Sequence, residues 1–417
     1  MNDRELRHNP RPRRQLSAAK RLATIMAMTS VAVTTACGSD TTKATEASAN
    51  DTFQTVDPAT ATKLKLGDTL QVVADLPQEL DGDPVHFSSF ASNGEVLGHV
   101  TPRDTDPGKQ GPSAQSRPVI YNLEARKFTV LDDRARPQPT WVADVVGNEQ
   151  AVVWVEGLDY NIAHSTFTIY AYDRLTHKVA TIGEFDDRSG QIAYGNDLSI
   201  RDATAYFSTA TFPTKKGQES VYAMPVDGST APLVLVAGAE QVRIDGNTLR
   251  YWVRNPNDET EYPKHFTYDL TTGMTTPVPV NAHAGENGFC GAEVTDAWEM
   301  WCTGHTMRPG PEKRRNQALL TIKEASGRTT EFKPFPVGSL NSPIPHNVVS
   351  FGRWTGISVP TDDGQQREFL VDLDTKEVEV FPNNTSFDDT SPDRTMVLVS
   401  SFGGDHGRQR IVQVPTS

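Results

Sequence analysis

The sequence predicts an all-β chain folded as a β-propeller, most simply of seven blades with four antiparallel strands each. Three observations carry this. The first is a recurring stretch, Ile169-Tyr170-Ala171-Tyr172-Asp173-Arg174-Leu175-Thr176-His177-Lys178-Val179, which reads as a short strand, a polar turn and the start of another strand. It returns at residues 265–274 and 368–378, and more faintly at 119–123, 221–225, 319–323 and 411–415. The second is its period. With Asn122, Asp173, Met224, Asp269, Ile322, Asp372 and Val414 taken as equivalent, the steps are 51, 51, 45, 53, 50 and 42 residues. Repeats of this length without helical segments between them indicate propeller blades. The third is the lack of apolar residues at helical spacing. Runs of Val, Ile, Tyr, Phe and Trp are bounded instead by Gly, Pro, Asn and Asp, the composition of short strands and turns.

Blade two shows the grammar. Residues 140–146 form its inner strand, Asn148-Glu149 a turn, 151–155 the second strand, 166–172 the third and 178–182 the outer fourth. A blade is covered on both faces by its neighbours, so a strand such as Ala151-Val152-Val153-Trp154-Val155 is continuously apolar rather than alternating. Blade one runs from His86 through residues 95–100 and 119–121 to 128–131. Blade three pairs 205–207 with 221–224 and 233–236, blade four carries 249–253, and blade six carries 356–359 and 369–371. Blade seven, 391–399 and 410–414, lacks a fourth strand. Unpaired strand edges recruit partners, and residues 69–74 form an orphan strand ahead of blade one. That strand is expected to close blade seven. Six or eight blades are the alternatives, since blades one and seven are the least regular.

The N-terminus reads as an address. Residues 1–36 hold Arg4, Arg7, Arg11, Arg13, Arg14, Lys20 and Arg21, followed by a moderately apolar run from Leu22 to Ala36. The run is shorter than the roughly 20 residues of a membrane span and suits the hydrophobic region of a signal peptide. It ends at Thr34-Thr35-Ala36-Cys37-Gly38. This resembles a bacterial lipoprotein signal, in which a small residue precedes the Cys that is lipidated, although Thr34 stands where an aliphatic residue is usual. Arg13-Arg14-Gln15-Leu16 faintly resembles a twin-arginine export signal. The resemblance implies an acylated Cys37, export, and attachment to the outer face of the cell membrane; an ordinary signal peptide cut after Ala36 is the alternative. Residues 37–63 are expected to be a flexible Ser/Thr/Ala-rich tether with a reach of ~25–30 Å. The propeller is expected over 64–417.

The net charge is −13, and residues 1–36 contribute +5, so the remainder carries −18. An acidic body without a basic stripe excludes nucleic acid as a partner. Beyond Cys37 the only cysteines are Cys290 and Cys302, an even pair suited to an oxidising compartment. They are centred on Asp296, so a hairpin turning at Thr295-Asp296-Ala297 sets them opposite one another, and a disulfide there is worth about 3 kcal/mol. The same register opposes Glu293 and Glu299. That pair is either a cation or acid–base site, or two side chains in solvent.

No residue pattern identifies a catalytic, metal or cofactor site. The histidines form no His-x-His or His-Glu-x-x-His spacing. No Gly-x-Ser-x-Gly elbow is present, and Gly403-Gly404 lacks the Lys of a phosphate loop. Asp81-Gly82-Asp83, Asp362-Asp363-Gly364 and Asp388-Asp389 lack calcium-loop spacing and read as turns. The tryptophans read as packing between blades, with Trp301 and Trp354 the candidates for stacking on a sugar at the axial mouth.

The repeats resemble TolB-type and WD-repeat-like propellers. Ser391-Pro392-Asp393-Arg394 resembles that family's Ser-Pro-Asp-Gly turn, with Arg394 in place of Gly, and the stretches after Tyr172, Tyr268 and Val371 resemble its turn between third and fourth strands. The resemblance implies an interaction scaffold more than an enzyme. Anchor, tether and propeller together look like exported lipoproteins of high-GC Gram-positive bacteria. The expected function is a membrane-anchored extracytoplasmic scaffold for an envelope protein or peptide, with no cofactor. The alternative is a protein that acts on or binds cell-wall or extracellular polysaccharide.

Overall fold

A computed structural model describes residues 53–63, 69–103, 116–134, 140–157, 166–185, 191–211, 220–253, 264–278, 289–294, 298–303, 319–333, 335, 347–360, 366–381, 385–401 and 407–413. At some of these, 289–294 and 301–303 among them, it describes the backbone alone. Residues 49–417 form one compact unit. It is a seven-bladed β-propeller.

Blade one comprises Asp83–Ser92, Glu95–Val100, Arg117–Asn122 and Lys127–Val130, with the short Glu79–Leu80 added inside. Blade two is Trp141–Gly147, Ala151–Gly157, Phe167–Asp173 and Lys178–Phe185. Blade three is Gln191–Arg201, Thr204–Thr211, Ser220–Pro225 and Leu233–Ala237. Blade four is Glu240–Asp245, Thr248–Val253, Lys264–Asp269 and Thr275–Val278. Blade five is Phe289–Val294, Trp298–Thr303, Leu319–Glu324 and Thr329–Phe332. Blade six is Asn347–Phe351, Trp354–Pro360, Gln366–Asp372 and Val378–Val380. Blade seven has three consecutive strands, Thr385–Thr390, Met396–Ser401 and Arg408–Gln413.

Its fourth strand is Gln71–Asp75, which pairs antiparallel with Arg408–Gln413. The orphan strand thus closes the ring, and Leu70 beside it is fully buried among Phe351, Phe381 and Phe387.

The chain ahead of that strand corrects one expectation. Residues 53–63 were assigned to the flexible tether. Phe53–Val56 instead adds a fifth, parallel strand to blade five, and Thr62–Lys63 pairs in parallel with the outer strand of blade six. Edge pairing needs only backbone groups, so a Thr/Ala-rich segment supports it without an apolar pattern. One side chain reinforces it: Val56 is 1% exposed and packs into the cluster that contains Phe332, Phe369 and Trp298. Gln54 Nε2 donates to Thr330 Oγ1 at 2.6 Å and to the Leu373 carbonyl at 2.9 Å. Lys333 Nζ meets Asp57 Oδ2 at 2.8 Å. The N-terminal segment therefore runs along the outer edges of blades five, six and seven in turn.

The recurring motif is the end of each third strand. Asp173 Oδ1 accepts the N–H groups of Leu175 and Thr176, Asp269 Oδ1 those of Thr271 and Thr272, and Asp372 Oδ1 those of Asp374 and Thr375. Four residues beyond each lies a residue in the left-handed region: His177 at φ 55, Gly273 at φ 71 and Lys376 at φ 67. An Asx side chain that caps the turn, followed by one left-handed residue, reverses the chain into the fourth strand. In blades two, four and six the repeat is thus a local turn chemistry.

Blade five departs from the expected register. Phe289–Val294 and Trp298–Thr303 form the anticipated hairpin, but Gly291 lies opposite Cys302, Glu293 opposite Met300 and Val294 opposite Glu299. The register shifts between Phe289 and Gly291, which leaves Cys290 in the irregularity. The one-residue offset from a hairpin centred on Asp296 is already present at Val294, beside the turn, so Glu293 is not opposite Glu299. The irregularity at Cys290, which takes one extra residue on this strand, restores the expected pairing only at Phe289 opposite Thr303. The proposed like-charge pair is dissolved. No disulfide is present among the described residues, and the Cys290 and Cys302 side chains lie outside them.

Candidate functional site

Inner strands run from the connection between blades to the tight turn that leads into the second strand. The two ends of the blades therefore differ systematically. At one end lie the turns within strand pairs, such as 93–94, 148–150, 202–203, 246–247 and 352–353. At the other, the described strands enter and leave the connections between second and third strands and between blades, including 101–116, 304–318 and 333–346. Every long connection springs from this second end.

At the same end, where blade seven meets blade one, lies a cleft of about 210 Å³. Glu79, His86, Thr101, Ser400, Gly407 and Gln409 line it. The local geometry follows from the inner strand of blade one, which is irregular after Phe87 and again after Phe90. Gly98 lies opposite the first irregularity, and a Cβ there would stand 2.2 Å from the His86 carbonyl oxygen. Only glycine lets the strands approach so closely.

The irregular strand leaves backbone groups that blade seven satisfies with side chains. Gln409 Oε1 accepts the Phe87 N–H at 2.7 Å, and its Nε2 donates to the Phe87 carbonyl at 2.7 Å and to Ser400 Oγ at 2.8 Å. Asp389 Oδ2 accepts the Phe90 N–H at 2.8 Å. Asn93 Nδ2 reaches Asp393 Oδ2 at 2.9 Å.

Behind the cleft lies a group of acids. Ser386 Oγ donates to Asp388 Oδ1 at 2.6 Å, and Ser400 Oγ donates to Asp388 Oδ2. Burial raises the Asp388 carboxyl above the usual range, although these hydroxyls and the nearby His86 oppose the shift. Burial likewise pushes Asp389 up to about 6, against the Phe90 N–H and the charge of Arg243 on the inner strand of blade four. Glu368, on the third strand of blade six, is fully buried and raised to about 8 by burial, with Asp388 adding to the shift. Its Oε2 accepts from Ser358 at 2.6 Å, whereas its Oε1 has no partner. Burial lowers His86, and it holds neighbouring His99 down to about 3, with His86 contributing. The two rings meet edge to face at 5.7 Å.

Sequence reasoning read Asp388-Asp389 as an ordinary turn. Both instead belong to the inner strand Thr385–Thr390. His99 and His265 are strand residues, and His265 is 7% exposed against Trp252, its charge disfavoured down to about 4 by burial. Trp354 does not reach the axial mouth. It is 4% exposed in the blade six–seven core, with Arg353 over its ring. Asp81-Gly82 is a turn, with Asp81 at φ 57 and Gly82 at φ 90. Cys37, Asp362-Asp363-Gly364 and Gly403-Gly404 lie outside the described residues. No group of three metal-ligating side chains occurs among the described residues.

Ser400, His86 and Asp388 have the residue types of a nucleophilic triad but not its connectivity. The serine hydroxyl donates directly to the carboxylate, whereas a triad needs the imidazole between them to take the serine proton.

No protein-family model and no curated protein matches the chain. Several solved structures are similar. An oligogalacturonate lyase in complex with manganese aligns over 85% of this chain and 98% of its own, at 9% identity and a TM-score of 0.50. The β-propeller domain of the Trilobed protease from Pyrococcus furiosus aligns over 80% and 96%, at 10% identity and a TM-score of 0.47. TolB from Acinetobacter baumannii aligns over 72% and 68%, at 13% identity and a TM-score of 0.37. At such identities the likeness concerns the fold alone.

Proposed function

We propose that this chain is an extracytoplasmic scaffold, attached to the cell membrane through an acylated Cys37, which binds a protein or peptide on the face that carries its long connections. One observation carries the binding face: the long connections and the seam cleft share one end of the blades, while the other end has short turns. Binding residues concentrate on loops held by a rigid frame, and a seven-bladed ring is such a frame. The signal-like residues 1–37 support the address.

Two experiments test the parts separately. Replacing the connections 158–166, 254–263 and 304–318 with two-residue turns is expected to abolish capture of the partner by crosslinking in intact cells, with the folded β spectrum retained. Undiminished capture contradicts the binding face. Labelling cells with a clickable fatty acid is expected to mark the wild type and not Cys37→Ala; equal labelling of both contradicts the anchor.

A second reading, action on polysaccharide, draws on the adjoining inner-strand carboxyls Asp388 and Asp389. Release of reducing ends from a cell-wall polymer, lost in both Asp388→Asn and Asp389→Asn, would support it over the scaffold.

A further inference from the structure

Among the described residues five large apolar side chains are exposed: Val73, Leu175, Leu233, Val234 and Met274. All but Val73 lie at the short-turn end, on the consecutive blades two, three and four. Third strands finish at that end, since Pro225 lies opposite Thr204 and Asp269 opposite Thr248, each beside a short turn. Leu175 is 88% exposed in the turn after Asp173, and Met274 is 63% exposed in the turn after Asp269. Leu233 and Val234 open the outer strand of blade three, where Leu233 pairs with Ala223. Single apolar residues on a surface are ordinary, whereas a gathering on one face marks a contact. The charge pattern agrees. In a chain that is 22% charged, residues 228–237 and 270–278 hold no charged side chain. The acids just before them bind their own turns: Asp227 Oδ1 accepts the Ser229 N–H, and Asp269 Oδ1 those of Thr271 and Thr272.

The chain enters the propeller at the same end. Phe53 lies opposite Thr329, the first residue of the fourth strand of blade five, and Val56 opposite Phe332, its last. Fourth strands run away from the short-turn end, so Phe53 stands at that end, on the blade next to blade four. The fifteen residues 38–52 separate it from Cys37, a length that spans at most about 50 Å. An anchor at Cys37 therefore meets the short-turn end first, and the long connections leave from the opposite end. We propose that the uncharged apolar rim of blades two to four at the short-turn end rests on the lipid surface, with Leu175, Leu233 and Met274 seated among the headgroups. This rests on the membrane-anchored reading above and adds an orientation to it: short turns toward the lipid, long connections toward the partner.

The chemistry of the rim suits lipid. The body beyond residue 36 carries −18, and an anionic leaflet repels such a body within a Debye length of its surface. The rim brings no charge of its own that would have to be desolvated. The exposed residues Ser229, Thr230, Thr271 and Thr272 offer hydroxyls to headgroups, while Leu and Met side chains enter the boundary with the acyl chains. Exposed Lys178, three residues beyond Leu175, adds a cation beside the first apolar tip. A few side chains on a rigid ring bind a bilayer weakly by themselves, because affinity grows with the apolar area buried. The rim therefore orients the propeller, and the acyl group holds it.

The test replaces Leu175, Leu233 or Met274 of the full chain, one at a time, with a diazirine-bearing amino acid. Lys264, exposed at the opposite end of blade four across from Val253, is the control position. Intact cells are irradiated, and the captured adducts are identified by mass spectrometry. The expected result is lipid adducts at the three rim positions in at least fivefold higher yield than at Lys264. Charging the tips, with Leu175→Glu and Met274→Glu together, is expected to lower the lipid yield at position 233 at least threefold. Both positions are exposed, so the β spectrum should not change. Crosslinked dimers of the chain, adducts to another protein in place of lipid, or rim yields no higher than at Lys264 overturn the inference. Clickable fatty acid in the same cells reads the anchor separately. If Cys37 is labelled and the rim captures no lipid, the inference falls and the anchor stands. If the rim captures lipid and Cys37 carries no label, the anchor falls and the rim contact stands. Loss of both removes both.

Discussion

The boundary between blades two and three and the seam between blades seven and one do the same geometric job with different chemistry. The first is apolar. Val153, Val155, Phe167, Ile169, Ile182 and Phe185 of blade two meet Leu198, Phe207, Met224 and Val226 of blade three, nearly all fully buried. At the second, the apolar cluster is smaller, with Phe87, Phe90, Leu398 and Ile411 at its heart. Side-chain hydrogen bonds to backbone do much of the rest, through Gln409, Asp389 and Asn93, whose Oδ1 accepts the Asp393 N–H. The difference follows from chain order. Blades two and three are consecutive, whereas the seam joins residues about three hundred positions apart. Directional polar ties fix its register there, and they also place a titratable patch beside the cleft.

The comparison breaks most clearly under truncation. Phe207→Ala at the apolar boundary removes a fully buried ring packed 5.4 Å from Phe185 and is expected to cost about 3–5 kcal/mol, seen as a large drop in the denaturant midpoint. At the seam, Gln409→Ala leaves the Phe87 N–H and carbonyl without their partners and is expected to cost about 1–3 kcal/mol. A loss at the seam equal to that of Phe207→Ala would erase the distinction.

The smallest effect is the most diagnostic, because its sign depends on pH. Glu368 is raised from 4.5 to about 8 in the folded chain. The folded state therefore holds this proton more tightly than the unfolded state, so the favourable contribution is full below pH 4.5 and is lost as pH rises toward 8. Glu368→Gln keeps the Ser358 bond without the charge. Its thermal midpoint is expected to exceed that of the wild type at pH 8.5 and to match it near pH 4. A destabilised variant at pH 8.5 would show that the ionised carboxylate is compensated in the free protein.

How much of this could be read from the sequence divides along the same line. The blade count and the third-strand motif were legible because Asp173, Asp269 and Asp372 cap turns within a few residues of themselves. The closing strand was legible because an apolar run such as Leu70-Gln71-Val72-Val73 needs a partner. The seam was not legible. Nothing near Gln409 or Asp389 announces that each will bond to the backbone of residues 87–90. The parallel edge strand Phe53–Val56 was missed because backbone pairing leaves little mark on side-chain choice, Val56 apart. The blade five register failed by one residue because the spacing of the two cysteines does not fix where the hairpin turns: Val294 already lies opposite Glu299, and the expected pairing returns only beyond Cys290, at Phe289 opposite Thr303.

The most direct test of the account is hydrogen exchange of the native chain at pH 5 and pH 8, corrected for intrinsic rates. The account predicts that amides of Phe87, Phe90 and residues 71–75 and 408–413 lose protection before those of Ala151–Gly157 and residues 205–209, and that the gap widens at pH 8. Equal protection of the two boundaries at both pH values, or earlier opening between blades two and three, would contradict it.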